Sequence, residues 1–156
     1  MAGRLRSEIK RKKPFAGAEL EAFLSLQRTA DALTRGLAEA LKPAALSGPQ
    51  YNILRILRGA GAGGCVCREL GERMVTRDPD ITRLLDRLEA RDLVARERGR
   101  EDRRVVKTRI TEKGLHLLES LEAPMADLHR RLLGHLGARR LRALIELLEV
   151  ARERAR

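Results

Sequence analysis

One stretch limits the fold more than any other. Ile81, Leu84, Leu85 and Leu88 stand at i, i+3, i+4 and i+7, the spacing of a single apolar face on a helix. Asp78 suits the cap of that helix, Pro79 its first position and Asp80 its positive end, so a helix is predicted over 78–91. Arg83, Arg87 and Arg91 fall on its opposite face. Asp92 follows where a left-handed residue ends such helices; Gly is usual there, and Asp tolerates the conformation. Residues 93–98 then alternate in polarity, and 105–110 are rich in β-branched side chains, around the polar run Gly99-Arg100-Glu101-Asp102-Arg103-Arg104. That pattern predicts a hairpin with a charged tip.

The remainder reads as helices. The chain has 27 Leu but only three aromatics, Phe15, Phe23 and Tyr51, which favours helices over a sandwich or barrel. Residues 1–14 are polar and basic and read as a flexible tail. Phe23, Leu26, Ala30, Leu33, Leu37 and Leu41 mark a long helix, ended by Lys42-Pro43. Ser47 caps a second helix to about Arg58, and the glycine-rich Gly59–Gly64 breaks it. Cys65-Val66-Cys67 fits a very short strand, and Arg68–Met74 a short helix carrying Leu70 inward. Thr111 and Gly114 open a long helix with the stripe Leu118, Leu121, Met125, Leu128 and Leu132, kinked at Pro124. Gly134 and Gly137 break it before a last helix over 138–154. The domains expected are a tail (1–14), an N-terminal dimerisation helix (15–45), a winged helix-turn-helix (46–110) and C-terminal dimerisation helices (111–156).

Charge narrows the partners. The net formal charge of +11 is concentrated in residues 1–14, 77–109 and 139–156. A polyanion partner follows, with nucleic acid ahead of a membrane surface. No apolar run reaches the ~20 residues that span a bilayer, and two cysteines make no disulfide scaffold, so a reducing cytoplasm is expected.

Helix, short strand, two helices and a hairpin is the order of a winged helix-turn-helix, and the fold class expected is mainly α with a small β-wing. In that unit the second helix of the pair enters the major groove while the wing meets the flanking backbone. The base-reading candidates are Asp80, Thr82 and Arg83, with Arg77 and Arg87 beside them; Arg83 suits guanine and Asp80 cytosine N4. Arg100, Arg103 and Arg104 at the wing tip suit phosphates or a narrow minor groove. The long helices before and after the winged unit carry seams that need a partner, which predicts a symmetric dimer on a pseudo-palindromic duplex. An Arg-rich helix face is also what a solvated surface looks like; the ordered set of elements, not the face alone, carries the reading.

Residues 78–114, DPDITRLLDRLEARDLVARERGREDRRVVKTRITEKG, resemble the recognition helix, wing and following helix of the MarR family of bacterial transcription regulators. Asp102-Arg103-Arg104 and Thr111-Glu112-Lys113-Gly114 are the specific parts, and LSGPQYNILRIL, 46–57, is similar to that family's first helix-turn-helix element. The resemblance implies an obligate homodimer on a pseudo-palindromic operator, acting as a repressor, with Asp102 bracing a wing arginine. It also implies a small, frequently phenolic effector between the dimer helices and the winged unit, where Arg28, Tyr51 and His116 are the candidate lining residues. Asp92 departs from the family's usual Gly.

Other chemistries find less support. Cys65 and Cys67 suggest a redox-responsive regulator, but a zinc site needs four ligands and His116, His129 and His135 lie on a distant helical region, so no metal or cofactor is expected. A winged module that binds an acidic protein is the remaining alternative. No nucleophile–base set, P-loop or dinucleotide turn is present in the sequence, and no enzyme is expected.

Overall fold

The computed structural model describes residues 4–77, 80–98 and 105–154. Its elements run α1 (Leu5–Glu8), α2 (Ala18–Leu41), α3 (Gly48–Ala60), β1 (Cys65–Val66), α4 (Cys67–Arg73), α5 (Ile81–Glu89), β2 (Val94–Arg98), β3 (Val106–Ile110), α6 (Glu112–Leu133) and α7 (Gly137–Glu153). The fold is mainly helical with a small antiparallel sheet, ordered β1-β3-β2.

The starts of α3, α5 and α6 have local causes, since a side-chain oxygen caps each. Ser47 and Gln50 form a reciprocal cap on α3: Gln50 N–H donates to Ser47 Oγ at 3.3 Å, and Ser47 N–H donates to Gln50 Oε1 at 3.0 Å. Ser47→Ala should cost ~1 kcal/mol in a denaturant titration, with no change in the dimensions of the folded protein. α3 then buries Ile53, Leu54 and Leu57 completely. Gly61 and Gly64, both at positive φ, turn the chain into β1. A Cβ at Gly64 would lie 2.7 Å from the Thr108 carbonyl oxygen, so the close approach of β1 to β3 needs glycine there. Cys65 pairs with Thr108 and Val66 with Lys107, adding a third strand to the expected hairpin.

The core sits where α3, α5 and α6 meet, around Leu54, Leu88, Leu93 and Leu118. The stripe of α6 behaves differently from expectation. Leu118, Leu121, Met125 and Leu128 are buried in their own protomer's core and so are not an open seam. α6 also runs through Pro124 as one helix. The surfaces left uncovered are elsewhere: α7 buries none of its residues, and Phe23 and Leu26 of α2 are exposed.

The start of the chain also differs. Within the segment expected to be a flexible tail, Leu5–Glu8 forms a helical turn that buries Leu5. Arg6 donates to the carbonyl of Lys12 at 2.7 Å, and Glu8 pairs with Arg28 at 3.0 Å. Leu5 and Ile9, four positions apart in a basic run, make too short a pattern to set a helical period. Among the described residues no helix is long and apolar enough to cross a membrane.

Candidate nucleic-acid interface

α5 has the two-sided character its sequence requires. Ile81, Leu84, Leu85 and Leu88 are buried, while Thr82, Arg83 and Arg87 are exposed. These three side chains, and Arg77 just before the helix, make no hydrogen bond or ion pair to another described side chain and face solvent. Donors held out on a helix whose other face is fixed are what groove reading demands.

The helix is shorter than the expected 78–91. It begins at Ile81 because Asp80 is the cap: its Oδ1 accepts from Arg83 N–H at 3.2 Å. The expected cap Asp78 and Pro79 lie outside the described residues. Asp80 thus serves the helix start through Oδ1 and remains exposed at that end of α5. Arg91 is also displaced from the expected polar face. It lies beyond the helix, and its guanidinium donates to the carbonyls of Ala45 at 2.6 Å and Ala44 at 2.9 Å, fixing the turn before α3.

The end of α5 is clamped. Asp92 adopts φ +58°, the left-handed conformation its place requires. Leu93 N–H donates back to Leu88 O at 3.0 Å, the closing bond of such a turn. Thr111 holds the other side: its hydroxyl donates to Asp92 O at 2.6 Å and its N–H to Leu93 O at 3.1 Å. The same hydroxyl accepts from Gly114 N–H at 3.1 Å and caps α6. Thr111 therefore joins the end of α5 to the start of α6.

β2 and β3 pair over five positions, from Val94 opposite Ile110 to Arg98 opposite Val106. They project the wing from the end of α5. The tip residues Arg100, Asp102, Arg103 and Arg104 lie outside the described residues. Two contacts that the sequence did not suggest shape this face. Asn52 of α3 accepts the Val75 N–H at 2.8 Å and ties down the turn that leads to α5. Arg96 of β2 reaches Glu89 and Asp86 on α5. A charged residue on the same strand face as the buried Val94 was the available signal for Arg96.

The candidate effector residues have separate surroundings. Arg28 pairs with Glu8, His116 is exposed with Glu112 at 3.9 Å, and Arg55 lies over the Tyr51 ring at 5.9 Å. A cavity of about 210 Å³ opens between α2 and α6, lined by Leu33, Thr34, Leu37, Leu128, His129, Leu132 and Leu133, and none of the three candidates lines it. Cys65 is buried and Cys67 exposed. Among the described residues, no group of three or more His, Cys, Asp or Glu side chains stands where it could hold a metal ion.

Comparison with known proteins agrees with this architecture. Residues 46–106 match the MarR family. A MarR transcription factor from Planctomyces limnophilus is 43% identical and superposes with a TM-score of 0.69, over 88% of this chain and 99% of that one. The HTH-type transcriptional repressor MdtR of Bacillus subtilis is 30% identical over 91 residues, 58% of this chain and 57% of MdtR. A mutant MarR from E. coli, crystallised with operator DNA, shares the fold at 24% identity and a TM-score of 0.79, over 89% of this chain and 99% of that one. With 43% identity to a MarR transcription factor matched along nearly its whole length, and with the family's own pattern matched across the helix pair and wing, the protein belongs to the MarR family of transcriptional regulators.

Proposed function

We propose that the chain acts as a homodimeric, sequence-specific DNA-binding repressor, with α5 in the major groove and the wing on the backbone or minor groove. The observation that carries this is the free face of α5: Thr82, Arg83 and Arg87 stand exposed on a helix whose opposite face is locked into the core. Arg77 at its approach and Arg100, Arg103 and Arg104 at the wing tip supply phosphate contacts, and Asp102 braces the tip. The related E. coli protein crystallised with operator DNA supports the same partner.

Dimerisation through the helices that flank the winged unit draws its support from α2 and α7. The protomer exposes 12030 Å². A compact monomer of 17.5 kDa exposes roughly 7,900 Å² by size scaling. Part of that excess lies on large apolar side chains, Phe23 and Leu26 of α2 and Leu147 and Val150 of α7, which a second copy would cover. Two recognition helices related by a two-fold axis would then meet half-sites roughly 34 Å apart on a pseudo-palindromic operator. A small apolar or phenolic effector has a place to act at the cavity between α2 and α6, where it would shift the dimer away from the DNA-binding state.

The test is a gel-shift series on duplexes selected from random-sequence DNA. Arg83→Ala should cost ~1–3 kcal/mol on the selected site and relax the preference at one base position. Arg103→Ala should weaken selected and random duplexes alike and reduce the salt slope by about one. Unchanged affinity in both variants would refute this geometry.

A further inference from the structure

One guanidinium from the wing holds two carboxylates of the recognition helix. Arg96 stands at the centre of β2, opposite Thr108, with its side chain 27% exposed. Its backbone N–H donates to Glu89 Oε1 at 3.2 Å and its Nε to Glu89 Oε2 at 2.9 Å. Nη2 reaches Glu89 Oε2 as well, and Asp86 Oδ1 at 2.7 Å. Asp86 and Glu89 are neighbours on one edge of α5, at i and i+3. The bonds are strong enough to perturb both partners: Arg96's side-chain hydrogen bond holds the Glu89 carboxyl below the usual range, and the bonds to Glu89 and Asp86 push the guanidinium up.

An exposed ion pair usually contributes little. This one differs in kind, because it joins two elements by a side-chain fork and a backbone N–H together. α5 has only nine residues. Its apolar stripe and the Thr111 clamp fix its buried face and its end, while Arg96 ties its polar edge to β2. The wing's direction depends in turn on the angle at which β2 leaves Leu93. The geometry points to Arg96 as a positioning residue for DNA recognition, one that locks the last turn of α5 to β2 so that helix and wing meet a duplex as one rigid piece. This rests on the DNA-binding reading above.

The sign of one substitution separates this role from plain electrostatics. Asp86 and Glu89 are anions beside Arg83 and Arg87, so removing either charge should strengthen binding to a polyanion. If Glu89 instead serves the lock, Glu89→Gln weakens binding although the protein becomes more basic.

The experiment uses the full chain and a duplex recovered by selection from random-sequence DNA, with fluorescence anisotropy across a salt series. Arg96→Lys keeps the charge but cannot fork to both carboxylates; it should weaken binding about tenfold, the scale of a lost charge-assisted contact, with the salt slope unchanged. Glu89→Gln should weaken binding to a similar degree, and the double variant should be no weaker than Arg96→Lys alone, because both remove one device. Equal or tighter binding by Glu89→Gln overturns the proposal, as does a salt slope for Arg96→Lys that falls by a full contact. Hydrogen exchange on the free protein tests the lock without any duplex. Arg96→Lys should speed exchange at the amides of Leu88–Leu93 and of β2 together, leaving α3 and α6 unchanged; no change there also overturns the lock. A parent chain that binds no duplex would sink the DNA-binding reading, and the exchange result would still decide the lock.

Discussion

Gly114→Ala should destabilise the protein by about 3 kcal/mol, the cost of forcing a group into a packed site without room for it. The direction is opposite to what the helix alone would give. Gly114 lies in the first turn of α6, where replacing glycine by alanine ordinarily gains up to about 1 kcal/mol. Here a Cβ would lie 2.3 Å from the Leu93 carbonyl oxygen and 2.7 Å from Ile110 Cγ1. Both neighbours are fixed: Leu93 O already accepts from Thr111 N–H, and Ile110 pairs with Val94. Relief would require moving the end of α5 away from the start of α6. Gly71→Ala is the control, since no atom lies within 4 Å of its Cβ position in α4. It should leave stability unchanged or raise it. Urea unfolding of both variants checks the pair; a Gly114→Ala loss below about 1 kcal/mol would mean that this junction yields more easily than its packing implies.

That junction shows why some of the fold was legible in the sequence. Thr111-Glu112-Lys113-Gly114 was readable as a helix start, and its cap is local: Thr111 Oγ accepts from an N–H three residues on. Ser47 with Gln50 and the stripe from Ile81 to Leu88 were legible for the same reason, since partner and period lie within one or two turns. Asp92 was legible too, because a helix that turns into a strand often closes on a left-handed residue and Asp tolerates that conformation. The cap of α5 was ambiguous, with aspartates at 78 and 80 either side of a proline, and only the backbone path gives the task to Asp80. The stripe of α6 showed another limit. Periodicity says that a face is covered but not by what, and that face turned inward against its own core. Arg96 was missed because its partners lie on a different element, reached only after the chain reverses at Asp92. Arg28, Tyr51 and His116 were chosen by residue type for an effector, and the cavity between α2 and α6, lined mainly by leucines, is a separate feature with no chemical signature in the sequence.

A pair of glutamates on α7, Leu147→Glu with Val150→Glu, should convert the protein to a monomer and lower its affinity for the selected duplex by about 100- to 10,000-fold, the advantage that two linked sites hold over one. The reason lies in where α7 keeps its apolar residues. Leu141, Leu144 and Leu148 form a half-buried stripe, but Leu147 and Val150 project from a different face, 70% and 63% exposed. A helix apolar on more than one face is stable only when more than one face is covered. Among the described residues the second face stays largely uncovered, and exposed Phe23 and Leu26 on α2 present a further apolar surface of the same kind. A second copy of the chain would bury these surfaces and place two α5 helices on one duplex. Because neither Leu147 nor Val150 is buried in its own protomer, the variant should keep its helical circular dichroism, which separates lost assembly from lost folding. Light scattering then reads the mass and anisotropy the affinity. A variant that stays dimeric would move the interface off α7, and a monomer that holds the duplex as tightly as the parent would remove the need for two recognition helices.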